Sequence, residues 1–324
     1  MKENRTKKPI RFGMAGASQI AHRMAQAMKA HPDVEIKAVF SRNSDKARDF
    51  AKQYGIPCFT SDLDMLLSHP DIDAVYIALP HGLHFPAALK ALSEKKAVLC
   101  EKPAVLTLEE MQQIAQASQD QQVLFMEAMK TRFMPAYKVM KEMVQSGCLG
   151  KLLQIRLSLC YDFKQALYDA SRYYNQPLQG GCLLDSGCYE LNYLLDLLGP
   201  FTAACSIQAI KHQNIEHYVN LVLDFDGTSV LLENAIDRNL DKTAVITGTK
   251  GSLVIEDLHR PERFVLCKTN ENRSYEFKAD INDMYPELDA FCSSYFAGDL
   301  ENSTMSHSDS MRQIELLTRL KALL

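Results

Sequence analysis

Short apolar runs, each stopped by a turn and followed by a helical stretch, decide the fold of the first half of the chain. The runs are Ile10 to Ala15, Glu35 to Phe40, Ala74 to Leu79, one that begins with Val98-Leu99-Cys100, and Val123 to Glu127. All read as strands, and the continuous ones, Ala74 to Leu79 and the run from Val98, as strands buried on both faces. Between them lie Ala21 to Ala30, Ser44 to Tyr54, Asp62 to Leu67, Phe85 to Ser93 and Leu108 to Gln119, which read as helices. Strands alternating with helices at this spacing imply α/β architecture, with a parallel, doubly wound sheet.

The run Val98-Leu99-Cys100-Glu101-Lys102-Pro103 ends abruptly in a charge pair and a proline. In open α/β sheets, ligands bind beyond the carboxyl ends of the strands. A lysine at such an end acts near low-dielectric walls, where its charge counts for more on a substrate oxygen. Pro103 has a fixed φ and no N–H, so it closes the strand and stiffens the backbone beside Lys102.

The first strand runs into Gly16-Ala17-Ser18-Gln19-Ile20-Ala21. This fits the dinucleotide fingerprint, with Ser18 in the second glycine place and Ala21 in the third. Gly16 permits the tight turn, a small Ser18 lets the backbone approach a pyrophosphate, and Ala21 lets helix and strand pack closely. The pyrophosphate would sit on the helix N-terminus. The second strand ends in Ser41-Arg42-Asn43, without the acid that an NAD site uses for the ribose 2′-hydroxyl. A hydroxyl and a guanidinium suit a 2′-phosphate instead, so NADP(H) is preferred, with NAD(H) as the alternative. Leu79, Pro80, His81 and His84 flank the same crevice and join Glu101 and Lys102 as cofactor contacts; for His84, capping or packing at its helix start is the competing reading.

The 324 residues suffice for about two domains with real cores. With 36 basic against 40 acidic residues and no dense basic block, neither nucleic acid nor an anionic membrane surface is an expected partner. Met1 to Lys8 is basic and polar with no apolar stretch behind it, so it reads as a solvated arm and not a signal peptide. No apolar run approaches the roughly 20 residues that span a bilayer. The nine cysteines show no CxxC pair, and Cys100, Cys160, Cys205 and Cys292 lie within apolar runs. They read as small buried hydrophobes in a reducing cytoplasm, and no metal or disulfide is expected.

After Thr131 the character changes. Pro135 to Gly147 reads as a helix, 152–159 as a strand, Arg172 to Gly181 as a loop at a site mouth, and Cys182 to Leu198 as a helix ending at Gly199-Pro200. Further strands are expected at 202–212, 218–225, 229–235, 242–248, 252–256 and 263–267, and closing helices at 285–296 and 308–324. The expected division is a dinucleotide-binding domain over 8–128 and an α+β domain with an open, mostly antiparallel sheet over 129–324, its last helix with a second docking option against the first domain. Asp185, Tyr189 and Asn192 or Tyr193 are three to four apart and share one helix face.

Taken together, these residues resemble the Gfo/Idh/MocA family of oxidoreductases, the glucose–fructose oxidoreductase and inositol dehydrogenase family. The resemblance rests on the turn at Gly16, Asp73 to Ile77 with Pro80 and His84, Glu101-Lys102-Pro103, Glu127-Ala128-Met129, Arg132-Phe133-Met134-Pro135, and Gly180 to Tyr189. Glu127 through Pro135 and the Asp185-Ser186-Gly187-Cys188-Tyr189 ending are most similar to the dimeric dihydrodiol dehydrogenase branch. Most of the family has histidine where this chain has Tyr189.

The resemblance implies an NAD(P)-dependent dehydrogenase or reductase acting on a secondary alcohol or ketone of a sugar, polyol or cyclic diol. It also implies a homodimer or homotetramer formed through the C-terminal sheet. Lys102 would stabilise the developing alkoxide. Tyr189 would carry the proton; its ordinary pKa of about 10 is high for that, but a neighbouring ammonium lowers it. Asp185 would orient the substrate or hold Lys102. Arg172 and Tyr161 complete the expected substrate contacts, with Phe133 as a further candidate pocket wall. The bland readings are a packed tyrosine, a capping aspartate and a surface lysine. The rival function is a nucleotide-binding regulatory protein of the same fold that lacks the chemistry; the presence of both Lys102 and Tyr189 speaks for the enzyme. A third is an enzyme that cycles two sugars on a tightly held cofactor.

Overall fold

The apolar runs form strands as their patterning demands, and the two kinds of pattern make two different sheets. The computed structural model describes residues 8–163, 180–279 and 281–324. These fall into two units. The first comprises 8–104, 109–128 and 281–307; the second comprises 105–108, 129–163, 180–279 and 308–324.

In the first unit, β1 (Ile10–Ala15), β2 (Val34–Phe40), β3 (Cys58–Thr60), β4 (Ala74–Ile77), β5 (Ala97–Glu101) and β6 (Phe125–Ala128) form a parallel sheet in the order β3-β2-β1-β4-β5-β6. The order reverses between β1 and β4, which places the switch-point crevice at their carboxyl ends. Val75, Tyr76, Val98 and Leu99 are fully buried, as continuous apolar runs covered on both faces should be. The short strand β3 has a half-exposed edge and little apolar pattern, so the sequence marks it weakly. The late helix Tyr285–Ala297 belongs to this unit, and its Phe291 ring packs 5.5 Å from Phe12 of β1.

In the second unit, β7 (Leu152–Cys160), β8 (Ala203–His212), β9 (Ile215–Phe225), β10 (Thr228–Ala235), β11 (Ala244–Gly248), β12 (Gly251–Ile255), β13 (Arg263–Lys268) and β14 (Glu271–Glu276) form one sheet. Its order is β14-β13-β12-β11-β7-β10-β9-β8, and only β7 with β10 runs parallel. The alternation is plain: Ile155, Leu157, Val219, Leu221, Val230, Leu232 and Leu253 are buried, while Arg156, Val222 and Leu231 on the other face are not. Such one-sided burial is what an antiparallel sheet gives. The edge strand β14 is polar and largely exposed, so the sequence offered no apolar signal for it.

The expected helix over Cys182 to Leu198 is two pieces. A π-helical turn, Leu183–Gly187, precedes the α-helix Cys188–Leu198. Such wide turns inside helices occur often at functional sites. A buried polar network ties this unit's helices together. Arg132 Nε donates to Asn192 Oδ1 at 2.6 Å, and its Nη1 stands 3.2 Å from Asp309 and 3.5 Å from Asp196. Asp196 also accepts from Tyr137 and Lys141, each at 2.7 Å.

Candidate active site

In a parallel sheet all carboxyl ends lie along one edge. The turn Gly16 to Ile20 follows β1, Ser41 and Arg42 follow β2, Leu79 to His84 follow β4, and Lys102 follows β5. The residues read as cofactor contacts therefore share that edge of the first unit.

Gly16 has φ +130, and a Cβ there would lie 2.5 Å from the Ala78 carbonyl oxygen. Only glycine fits so close an approach between the β1 turn and the end of β4. The helix Gln19–Ala30 opens with Ser18 as its N-cap, and the Ser18 hydroxyl makes no capping bond. The first N–H groups of such a helix lack intrahelical partners. A tight glycine cradle, an uncommitted hydroxyl and a helix N-terminus together fit a dinucleotide pyrophosphate. Arg42 is exposed at the end of β2, and Asn43 beside it caps the next helix by accepting from the Lys46 N–H at 3.0 Å.

The segment around Lys102 is braced on both sides. Glu101 is 6% exposed and accepts a 2.6 Å hydrogen bond from the Tyr76 hydroxyl. The Ala104 N–H donates to Glu127 Oε1 at 3.0 Å. His84, 1% exposed, sets Nδ1 2.9 Å from the Pro103 carbonyl and Nε2 2.7 Å from the Leu79 carbonyl. Burial lowers the His84 pKa, against the pull of those two carbonyls. A neutral ring donates to only one of them. His84 is thus held within the wall between β4 and the Lys102 turn, as the capping or packing reading expects, and His81 packs edge-on against it at 5.6 Å. Tyr76 and Glu127 are braces that the sequence reading did not single out; the signal was a polar atom inside a buried run, which requires a partner.

In the second unit, Asp185 lies in the π turn and Tyr189, 7% exposed, in the first turn of the helix Cys188–Leu198. Ser186 between them bonds Asn234 Oδ1 of β10 at 2.9 Å, which fixes this corner on the sheet. Asn192 and Tyr193, which regular helical spacing placed with Asp185, are buried: Asn192 serves Arg132 and Tyr193 faces the Met140 sulfur. Phe133 is 1% exposed and belongs to the core. Arg172 lies outside the described residues.

Tyr189 meets two residues that the sequence reading missed. The Lys130 ammonium stands 5.5 Å from its ring centroid, and the His259 ring lies 5.5 Å away, tilted by 58°. His259 Nε2 is 2.9 Å from the Tyr161 hydroxyl and 2.7 Å from Arg260 Nε. Its Nδ1 is 2.6 Å from Asp257 Oδ1, a close contact bent away from a straight hydrogen bond. Burial, helped by Lys130 and Arg260, lowers the His259 pKa to about 4 against the pull of Asp257. The Asp257 carboxyl is lowered too: burial pushes it up, but His259, Arg260 and Lys242 together outweigh that. The pair is therefore a carboxylate beside a neutral imidazole. Thr131 Oγ1 donates to the His259 carbonyl at 2.8 Å and ties the Lys130 turn to this cluster. No local pattern announces Lys130 and His259, since they are far apart in the chain.

Comparison with known proteins shows the family and the fold. Residues 10–129 match the model of the GFO_IDH_MocA oxidoreductase family, NAD-binding Rossmann fold, and 137–254 match the GFO/IDH/MocA C-terminal domain. The mouse trans-1,2-dihydrobenzene-1,2-diol dehydrogenase is 30% identical over 262 residues, 79% of this chain and 78% of that protein. The scyllo-inositol 2-dehydrogenase (NADP(+)) IolU of Bacillus subtilis (strain 168) is 30% identical over 261 residues, 78% of each chain. Among solved structures, the 3-ketoreductase KijD10 of Actinomadura kijaniata with NADP and TDP-benzene superposes with TM-score 0.86 at 23% identity, covering 96% of both chains. Levoglucosan dehydrogenase with NADH and levoglucosan superposes with TM-score 0.84 at 21% identity, covering 98% of both.

Proposed function

The chain belongs to the Gfo/Idh/MocA family of NAD(P)-dependent oxidoreductases, and from that premise we propose that it moves a hydride between NADP(H), used in preference to NAD(H), and a secondary alcohol or ketone of a sugar, polyol or cyclic diol. Two relatives at 30% identity act, by name, on a cyclic diol and on an inositol, and the second uses NADP(+). Arg42 and Ser41 at the end of β2 supply the cation and hydroxyl that a 2′-phosphate needs.

Lys102 polarises the substrate oxygen and stabilises negative charge as it develops there. Its position immediately beyond β5, with Glu101, Pro103 and Ala104 each held by a buried partner, is the observation that carries this role. A preorganised charge needs no rearrangement at the moment of reaction. Tyr189 carries the proton. Lys130 beside its ring favours the phenolate form through which a proton carrier must pass. Asp185 orients the substrate from the π turn, with Tyr161 as a substrate contact and Arg172 as a second. The C-terminal sheet, with Val222 and Leu231 only half-buried on its open face, is the surface for a homodimer or homotetramer.

A screen of alcohols, sugars and cyclic diols with NADP and NAD, followed by nicotinamide absorbance, tests the reading. Oxidation of at least one vicinal diol or polyol with NADP is expected. Binding of NADPH with no turnover across the screen would favour the regulatory alternative.

A further inference from the structure

Ser186 and Glu190 lie on either side of Tyr189 in the chain, and one buried amide joins them. The Asn234 side chain on β10 is fully buried. Its Oδ1 lies 2.9 Å from the Ser186 hydroxyl, and its Nδ2 donates to Glu190 Oε2 at 2.7 Å. Ser186 Oγ is also 3.2 Å from the Cys182 carbonyl, and its single proton serves one of the two acceptors. The clamp does not depend on which. With the proton turned to the Cys182 carbonyl, the amide reverses, donates to the serine oxygen and accepts from the acid. The same three side chains stay joined.

Glu190 is 0% exposed, and its Oε1 has no hydrogen-bond partner among the described residues. A carboxylate sealed from water with one neutral donor is costly, so the group keeps its proton. Burial raises its pKa well above the usual carboxylate range against the Asn234 bond, and Glu233 adds to the rise. The titratable groups that face it are Glu233 on β10, the Cys160 thiol of β7 and the Cys182 thiol before the π turn. None of these is a cation that would hold it ionised.

The clamp sits where the helix geometry changes. The π turn Leu183–Gly187 gives way to the α-helix at Cys188, with Ser186 before that junction and Glu190 after it. A π turn holds about one residue more than an α turn, so its loss would rotate everything after it by about 100°. Tyr189 is the second residue beyond the junction. Its direction relative to Asp185 therefore depends on the junction staying where it is.

We propose that Asn234, bridging Ser186 and a protonated Glu190, is a positioning residue that fixes the helical phase at which Tyr189 meets the substrate oxygen. The inference rests on the proton-carrying role proposed above for Tyr189. Asn234 and Glu190 act through that tyrosine.

A double-mutant cycle tests this on the full-length enzyme with NADP, using trans-1,2-cyclohexanediol and myo-inositol as substrates. Asn234→Ala should lower kcat about ten- to hundredfold and leave the NADP dissociation constant within about twofold, the size of effect that a shift of about 1 Å produces. Ser186→Ala removes one arm of the clamp and should lower kcat about three- to tenfold; it decides the matter where Asn234→Ala does not fold. In a Tyr189→Phe background neither change should lower kcat by more than about twofold, because what they position is gone, whereas a merely structural effect would persist there. No loss in the wild-type background, or equal losses in both backgrounds, refutes the positioning claim and leaves the role of Tyr189 intact. A Tyr189→Phe enzyme with wild-type kcat refutes that role, and the positioning claim falls with it. Turnover of neither substrate by the wild type refutes the diol and polyol reading itself, and the claim falls again. Difference infrared spectra of the wild type against Glu190→Gln at pH 7 should show the carbonyl band of a protonated carboxyl; its absence overturns the protonated clamp.

Discussion

The Lys130 ammonium stands 5.5 Å from the centre of the Tyr189 ring. Lys130 is 3% exposed, and its turn is anchored by the buried Arg132 network and by Thr131 on the His259 carbonyl. A cation over a tyrosine ring contributes roughly 0.5–2 kcal/mol, more where it is desolvated. Lys130→Met keeps the apolar stem and removes the charge. It should lower kcat about ten- to hundredfold and leave the NADP dissociation constant within about twofold. Steady-state kinetics with a fluorescence titration of NADPH checks this; unchanged kcat would separate Lys130 from the chemistry.

Gly16→Ala tests the nucleotide cradle. The new Cβ would meet the Ala78 carbonyl at 2.5 Å in a backbone with φ +130. The turn must open, at a cost of about 1–3 kcal/mol. Calorimetric titration should show NADP binding weakened at least about tenfold, with a lower Tm for the apoprotein.

Arg42→Ala tests the cofactor preference. Arg42 is exposed at the end of β2, so its loss should hardly alter stability. The KM for NADP should rise about tenfold while that for NAD stays within about twofold. An unchanged NADP KM would reassign the 2′-phosphate contact.

The doubly wound sheet was legible because its apolar runs are long, continuous and separated by strong turn residues such as Gly55, Pro80 and Pro103. The open sheet was legible because its strands alternate, except β14, whose residues face solvent. The candidate site was less legible. Lys102 announces itself by ending an apolar run, and Tyr189 by the motif around it. The π turn Leu183–Gly187 is invisible to a pattern of three and four, which assumes a regular α-helix from Asp185 onward. Lys130, Asp257 and His259 carry no local signature, because the fold alone brings them to Tyr189 and Tyr161.

The buried His259 makes a prediction about pH. Its pKa falls from the ordinary 6.5 to about 4 in the folded protein. Between those values the unfolded chain binds the extra proton and the folded chain does not, so stability falls as pH drops from about 6.5 to about 4. His259→Gln removes that dependence, worth on the order of 3 kcal/mol at most. Thermal melts of both proteins across this window should converge as pH falls, with the wild type losing more. Parallel curves would show that His259 does not contribute. His84, His217 and His307 have lowered pKa values as well, so the difference between the two proteins is the quantity to read.

The central claim is that Lys102, beyond any contact with the nucleotide, supplies charge to the substrate oxygen. Lys102→Met, assayed on a diol that the wild type oxidises, measures this directly. A fall in kcat of about 10²–10³-fold with the NADP dissociation constant within about threefold is the result expected. Retained turnover, or a loss of nucleotide binding that accounts for the whole effect, would contradict it.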